Sequence, residues 1–361
     1  MQFMPLRQIL QKFFALENVL TDTLKYMESL SNNNSIISNF IQGSFWQSKL
    51  QKHNGHTVLP LFMFFDDFES GNVLGSHSGI HKLGAVYVSV ACIPPYLITV
   101  LSNIFMVLLF HSADREEFKN NIIFKPIIDE FNFLQSNGIE INTSVFKGKL
   151  YFELGLILGD NLGLHAITGF TESFSSNFPC RFCMIQRDRM KILCYEDENL
   201  LRNVEQHNVH VIEQNISASG VKEECVWLGI KHFSLFDQVG VDWMHDFLEG
   251  CAKYIFAFII PYYVNELKLF SLQILNNRIF GFDFGPEKNK PSVFTKENVN
   301  QGNIRQSASE MLVLIRYFGL LIGDFVPVEE PVWTLYITMR RSLDIMLSVS
   351  LEKDSCSLLR T

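Results

Sequence analysis

Three acidic residues sit at places from which carboxylates can converge on a metal. Asp66 follows the apolar run Leu59-Pro60-Leu61-Phe62-Met63-Phe64-Phe65, Asp160 follows Gly159 at the end of a second apolar run, and Glu310 lies three residues after Ser307 at the head of an amphipathic stretch. Mg2+ and Mn2+ are hard cations that take oxygen ligands, so a site for them calls for Asp and Glu rather than Cys or His. Two such ions about 4 Å apart activate a water and steady the leaving oxygen of a phosphodiester. Taken one at a time, each acid has a plainer use. Asp66 or Asp67 can open a turn, Asp160 can cap a helix expected from Leu162, and Ser307 with Glu310 has capping-box spacing. Their joint order along the chain is what points to metal-assisted phosphoryl chemistry.

A second cluster is of the soft kind. Cys180-Arg181-Phe182-Cys183 places two thiolates a tight turn apart, the spacing at which both reach one Zn2+. Tetrahedral closure needs two more ligands. His245, in the segment Asp242-Trp243-Met244-His245-Asp246-Phe247-Leu248-Glu249-Gly250, is the best third, while Cys194, Cys225 and His232 compete for the fourth. The plainer alternative is a pair of small buried hydrophobes. Redox use is disfavoured because no thioredoxin-like pattern surrounds the pair. Seven Cys is an odd number, and no basic region followed by an apolar one opens the chain. Reduced thiols in a cytosolic or nuclear setting are therefore expected.

The elements that must position these residues follow from periodicity. A helical stretch spans Leu6–Leu30, followed by a polar segment at Ser31–Ser35. A buried strand at 59–65 ends at Asp66-Asp67, a Gly- and Ser-rich turn covers Ser70–Gly79, and strands are expected near 84–93 and 97–109. Leu83–Phe110 carries no charge and is long enough to span a membrane, but Pro94-Pro95 splits it and its first half is rich in β-branched residues, as buried strands are. Ser112 is a plausible N-cap for a helix carrying Phe118, Ile122, Ile127, Phe131 and Leu134, kinked or broken at Pro126 and stopped at Gly138. A strand over Val145–Leu158 then leads to Asp160, and a last helix begins near Ser307. Three strands, a helix, a strand and a late helix is the order of an RNase H-like α/β core, in which carboxylates at the first strand, the fourth strand and the late helix meet. The expected division is a partial N-terminal helical segment (1–57), the first part of the core (58–179), a largely helical zinc-binding insertion (180–302) and the C-terminal helices of the core (303–361).

Charge counts against nucleic acid as a partner: the net charge is −8 and the pI near 5.7, whereas affinity for a phosphate backbone comes mostly from Lys and Arg. A local cluster, Arg181 to Lys191, offers either DNA contact or a solvated helix face. At 47% hydrophobic with 33 Phe, the chain is expected to fold around a substantial core.

From Leu59 to about Ser348 the chain resembles the transposases of the CACTA (EnSpm) elements and their Mirage and Chapaev relatives, in the branch found in animal genomes. The matching pieces are "LPLFMFFDDFESGNVLGSHS", "LGLILGDNLGLHAITGF", "CRFC", "VDWMHDFLEG" and "SASEMLVLIRYFGLLIGDFV". The vertebrate antigen-receptor recombinase shows the same order more distantly. The resemblance implies metal-binding carboxylates at Asp66 and Asp160, zinc ligation at Cys180, Cys183 and His245, and a third carboxylate at Glu310. Glu310 is preferred over Glu249, where related segments carry apolar residues. It further implies catalytic Mg2+ or Mn2+, structural Zn2+, DNA partners (transposon terminal repeats and target), no membrane, a homo-oligomer in the active complex and a nuclear location. Family members carry several hundred further N-terminal residues, so a truncated or domesticated copy is expected. A remnant that binds DNA or protein without catalysis is the alternative to an active enzyme.

Overall fold

The uninterrupted apolar run ahead of Asp66 has the pattern of a strand covered on both faces, and it becomes the axis of the sheet. In the computed structural model, which describes residues 1–33, 35–53, 55–71, 81–144, 146–353 and 355–358, the six strands of the main sheet are β1 (Gln2–Phe3), β2 (Val58–Glu69), β3 (Lys82–Val90), β4 (Phe105–His111), β5 (Ile139–Asn142) and β6 (Lys147–Gly159). They lie in the order β1-β4-β3-β2-β6-β5. β2, β3 and β4 form an antiparallel meander, and β6 returns to pair parallel with β2. The sheet is therefore mixed and the fold α/β.

The uncharged stretch 83–110 is two antiparallel strands in this sheet, as its Pro-Pro break predicts. The turn between them is longer than the expected reversal at Pro94-Pro95, because Pro95–Ile98 and Leu101–Asn103 form short helical turns. The expected turn at Ser70–Gly79 falls mostly on residues 72–79, outside the described ones, as does Val145 at the start of the expected fourth strand.

The first compact unit, Met1–Gly240, adds helices α1 (Leu6–Ala15), α2 (Val19–Ser31), α3 (Ser44–Leu50), α4 (Ser112–Phe118), α5 (Lys125–Ser136), α6 (Asn161–Thr168) and α7 (Val204–Glu213). The expected single helix over 6–30 is two, interrupted where Asn18 takes a left-handed backbone conformation. Downstream of α4, Lys119 is also left-handed at φ 68°, which breaks the apolar series beginning at Phe118. At Pro126 the helix is broken, one of the two outcomes its sequence predicts: a helical turn over Asn120–Ile123 ends before it, and Pro126 lies in the first turn of α5, where its missing N–H costs nothing. α5 buries Ile127, Phe131 and Leu134, and α1 sets Phe14 against Phe152 of β6, ring centroids 5.8 Å apart.

The other face of β6 carries a buried carboxylate. Glu153 is fully buried, accepts from Lys49 Nζ at 2.7 Å and contacts His53 Nε2, while Lys49 also donates to the His232 carbonyl. Burial pulls the Lys49 ammonium below its usual pKa range, with Glu153 opposing the shift. This network pins α3 and the turn after it to the central sheet.

One register detail fixes where β6 ends relative to β2. Leu61 pairs with Leu154 but Phe62 with Leu156, so Gly155 is an extra residue in β6. Gln238, itself fully buried, donates to the carbonyls of Leu154 and Gly155 at the bulge. A Cβ at Gly155 would come within 3.0 Å of the Phe40 ring. Glycine permits the close approach, and the bulge moves everything beyond it by one residue relative to β2.

The second compact unit, Val241–Thr361, has its own core. It is helical: α8 (Met244–Glu266), α9 (Leu272–Gly281), α10 (Ala308–Ile322) and α11 (Pro331–Met346). α8 begins and ends in wide π-type turns. By length and composition alone it could cross a membrane, but Phe256, Ile259, Ile260 and Tyr263 on it are buried in the helical core. The boundary between units falls at 240, inside the stretch read as one insertion. Residues 180–240 are mostly irregular rather than helical, and Val221, Cys225, Trp227, Leu235 and Val239 join the core of the first unit.

The buried network gives the first test. Glu153→Gln leaves Lys49 as an uncompensated buried cation and is expected to cost about 3–5 kcal/mol of unfolding free energy, read by urea denaturation. A loss below about 1 kcal/mol, the usual scale for a surface pair, would mean that the pair holds nothing together.

Candidate functional site

β2 and β6 run in the same direction and their pairing ends at Phe65 opposite Gly159, so Asp66 and Asp160 are the next residues of two adjacent parallel strands. Without the Gly155 bulge, Gly159 and not Asp160 would stand level with Asp66. Asp160 then leaves the sheet as the N-cap of α6, its Oδ1 accepting from the Gly163 amide at 2.6 Å. The cap requires a glycine: a Cβ at Gly163 would lie 2.6 Å from that same oxygen and 3.1 Å from the Phe65 ring. The plain reading of Asp160 as a cap is thus realised, with one of its two oxygens.

β2 does not end at Asp66-Asp67 as expected but continues to Glu69, paired with the following strand. Asp66 is exposed, and its pKa is raised. Partial desolvation contributes most, then the negative charges of Asp160 and Asp67, with Lys82 opposing. Neighbouring carboxylates that repel one another are relieved by a cation. Asp67 points to the opposite face from Asp66, as alternation along a strand requires. There it accepts from Ser112 Oγ at 2.7 Å and lies 3.6 Å from Arg115 Nη2. Gly84, opposite Asp67 on β3, leaves room for this carboxylate: a Cβ there would lie 3.0 Å from Asp67 Oδ1. Asp67, Asp160, Lys82, Ser112, Arg115 and Glu172 help line a cavity of about 440 Å³.

Sequence reasoning treated Asp67 only as a turn residue and Ser112 only as a cap. Ser112 is in fact the first residue of α4, after His111, and its hydroxyl is spent on Asp67. Ser112 and Arg115, three apart on one helix face, reach Asp67 together; their spacing was visible in the sequence, but their target was not.

Cys180 and Cys183 do come together. The thiol of Cys183 hydrogen-bonds Cys180, and that bond, helped by the amides of Phe182 and Cys183 and by the charge of Arg202, lowers the Cys180 pKa to about 6 against the opposing effect of burial. The same bond raises Cys183. Phe182 N donates to Cys180 Sγ at 3.3 Å, and buried Arg202 donates through Nε to the Cys180 carbonyl. A turn that stabilises thiolate suits a soft cation. Arg181 is not a solvated basic residue: it is buried and donates to Asn161 Oδ1 at 2.7 Å and to the Gly240 carbonyl at 2.8 Å. It therefore ties the Cys pair to the residue that follows Asp160.

His245 and Glu310 belong to the second unit. His245 Nδ1 lies 2.5 Å from Asp242 Oδ2, and its Nε2 is 3.9 Å from Glu249. A carboxylate on one ring nitrogen orients the other for a metal. Glu310 forms the capping box its spacing predicts: Oε2 accepts from Ser307 N at 2.8 Å and from Ser307 Oγ at 2.9 Å, and Oε1 accepts from Ser292. Partial burial raises its pKa, but the bonds from Ser292 and Ser307 outweigh that and leave it below the ordinary glutamate range. Among the described residues, no three His, Cys, Asp or Glu side chains form a ready-made metal cage. Pairs are present: Asp66 beside Asp160, and the free thiols of Cys180 and Cys183 hydrogen-bonded to each other. No family model matches the chain, and no curated protein matches it.

The strain on Asp66 has a measurable sign. A carboxylate whose folded pKa is raised weakens the fold as pH rises from the unfolded value, near 3.8, through the folded one. Asp66→Asn is therefore expected to raise Tm slightly at pH 7, and the gain should vanish as pH falls below the ordinary aspartate range. A Tm lowered at pH 7 would show that Asp66 is stabilised, not strained, by its neighbours.

Proposed function

We propose that this chain is the catalytic region of a cut-and-paste DNA transposase, with an RNase H-like core that cleaves DNA strands at transposon ends and joins them to target DNA. The observation that carries the reading is that the parallel pairing of β2 with β6 ends at Phe65 opposite Gly159, so that Asp66 on β2 and Asp160 just beyond β6 follow side by side. Three antiparallel strands, an intervening helical segment and a fourth long strand parallel to the first are the arrangement expected of such a core, with acids at the ends of the first and fourth. The raised pKa of Asp66 adds that this pair suits a divalent cation. Bound Mg2+ or Mn2+ would supply an activated water and charge stabilisation at the phosphorus.

In this reading Asp66 and the uncapped oxygen of Asp160 hold the cation, while the cap on Gly163 fixes the Asp160 rotamer. Cys180 and Cys183 hold a structural Zn2+, for which the family resemblance implies His245 as a further ligand; Arg181 links that turn to Asn161 and so braces the second carboxylate. Glu310 is the third carboxylate that the family resemblance implies. DNA is the partner, the nucleus the location and a homo-oligomer the active form.

A non-catalytic remnant is the second reading, and one observation favours it: both oxygens of Glu310 are engaged in local hydrogen bonds. Gln serves a capping box as well as Glu does, so Glu310→Gln separates the roles. Loss of activity with an unchanged Tm assigns Glu310 to the metal, and unchanged activity assigns it to the cap.

The direct test is Mg2+- or Mn2+-dependent nicking of a DNA substrate. Wild type should nick, and Asp66→Asn should not, with folding intact. Equal nicking by both would place the chemistry elsewhere, and nicking by neither would favour the remnant. Elemental analysis should find one Zn2+ per chain, and its removal should loosen the segment around Cys180 more than the sheet, because metal-binding energy becomes folding energy locally. Purified protein without stoichiometric zinc would contradict that assignment.

A further inference from the structure

Arg115 lines the cavity with a buried and largely unpartnered guanidinium. Its side chain is only 13% exposed, yet no nitrogen of its guanidinium makes a hydrogen bond to a described residue. Nε and Nη1 are buried without a partner, and Nη2 stands 3.6 Å from Asp67 Oδ2, a Coulombic contact beyond hydrogen-bond length. Asp67 is held to Ser112 through its other oxygen and, at this distance, is an ion-pair neighbour of Arg115 and not a hydrogen-bond acceptor for it. The guanidinium lies over the Phe65 ring at 5.4 Å, which positions it from below and satisfies none of its N–H groups. Burying such donors unpaired is costly, and folded proteins rarely leave them so without a use.

The surroundings indicate what would satisfy them. Arg115 and Lys82 are the permanent cations of a cavity that also presents Asp67, Asp160, Glu116 and Glu172. Acids outnumber cations, so a free carboxylate or phosphate alone would be repelled. A group carrying phosphate oxygens to a cation held on the acids, while turning its remaining oxygens to the planar N–H fork of Arg115, fits both signs at once. Guanidinium is matched to phosphate in shape as well as charge.

We propose that Arg115 is a phosphate-binding residue that positions a DNA backbone phosphate in the cavity beside Asp67 and Asp160. This deepens the transposase reading and rests on it for the identity of the phosphate as DNA. Lys82, on the neighbouring strand, adds charge to the same opening.

The test uses the full chain in Mg2+, with two probes: inorganic phosphate by calorimetry, and a labelled DNA duplex by fluorescence anisotropy over a range of salt. Arg115→Gln should weaken duplex binding about tenfold or more and lower the slope of log affinity against log salt by about one, the share of one phosphate contact. Because it removes unpaired buried donors, it should not lower Tm. Arg115→Lys should restore the slope but not the full affinity, since the ammonium lacks the fork. A purely structural Arg115 would change Tm and leave the slope alone. Arg115→Gln with wild-type affinity and slope would overturn the proposal and leave the transposase reading standing. Wild type that takes phosphate through Arg115 but binds no duplex would keep the phosphate site and remove the DNA reading. Wild type that binds neither probe would overturn both.

Discussion

Everything at the candidate site depends on the parallel pairing of β2 with β6 and on the single-residue bulge within it. Parallel neighbours bring strand ends of the same sense to one edge of the sheet, which is why acids distant in sequence can meet there. Gly155 decides which residue arrives. With the bulge, Asp160 stands level with Asp66; without it, a glycine would. Gln238 holds the bulge from a segment 83 residues downstream of Gly155, so the irregular chain after the Cys pair helps set the register of the sheet. Pairing of this kind closes a long loop before it returns any stability, and the buried Lys49–Glu153–His53 network sits on the same strand.

The edge so formed collects negative charge, and the protein compensates it on one side only. Asp67 has Ser112 and a nearby Arg115, and Asp160 has the α6 amide. Asp66 has like charges and Lys82, and its carboxylate is the one whose pKa rises. The strained carboxylate of Asp66 and the unsatisfied guanidinium of Arg115 face opposite sides of β2, and Asp160, whose charge reaches Asp66, also lines the Arg115 cavity. The net charge of −8 is no obstacle to the proposed phosphate contact, because local fields and not the total decide what a cleft admits.

Much of the central sheet was legible in the sequence. The run at 59–65 and the Pro-Pro break at 94–95 report strands because apolar continuity and β-branching are local properties, whereas the continuation of the first strand to Glu69 comes from its pairing with the next one. The capping roles of Asp160 and Glu310 were equally legible, being matters of three-residue spacing. What escaped is non-local. β1 is two residues whose strand character comes only from pairing with Leu108 and Leu109. The packing of 180–240 onto the sheet is carried by scattered residues such as Trp227 and Val239, with no period to read. The bulge at Gly155 exists only relative to β2. Asp67 and Arg115 acquire their meaning from the cavity they share, and no spacing along the chain records it.

The central claim is that Asp66 and Asp160 together bind a divalent cation. Mn2+ titration of the full chain, followed by the paramagnetic relaxation of bulk water, measures this without requiring catalysis or DNA. The account predicts saturable binding by wild type that is lost in both Asp66→Asn and Asp160→Asn, and retained in Glu249→Gln. Equal Mn2+ affinity in wild type and the two aspartate variants would contradict it.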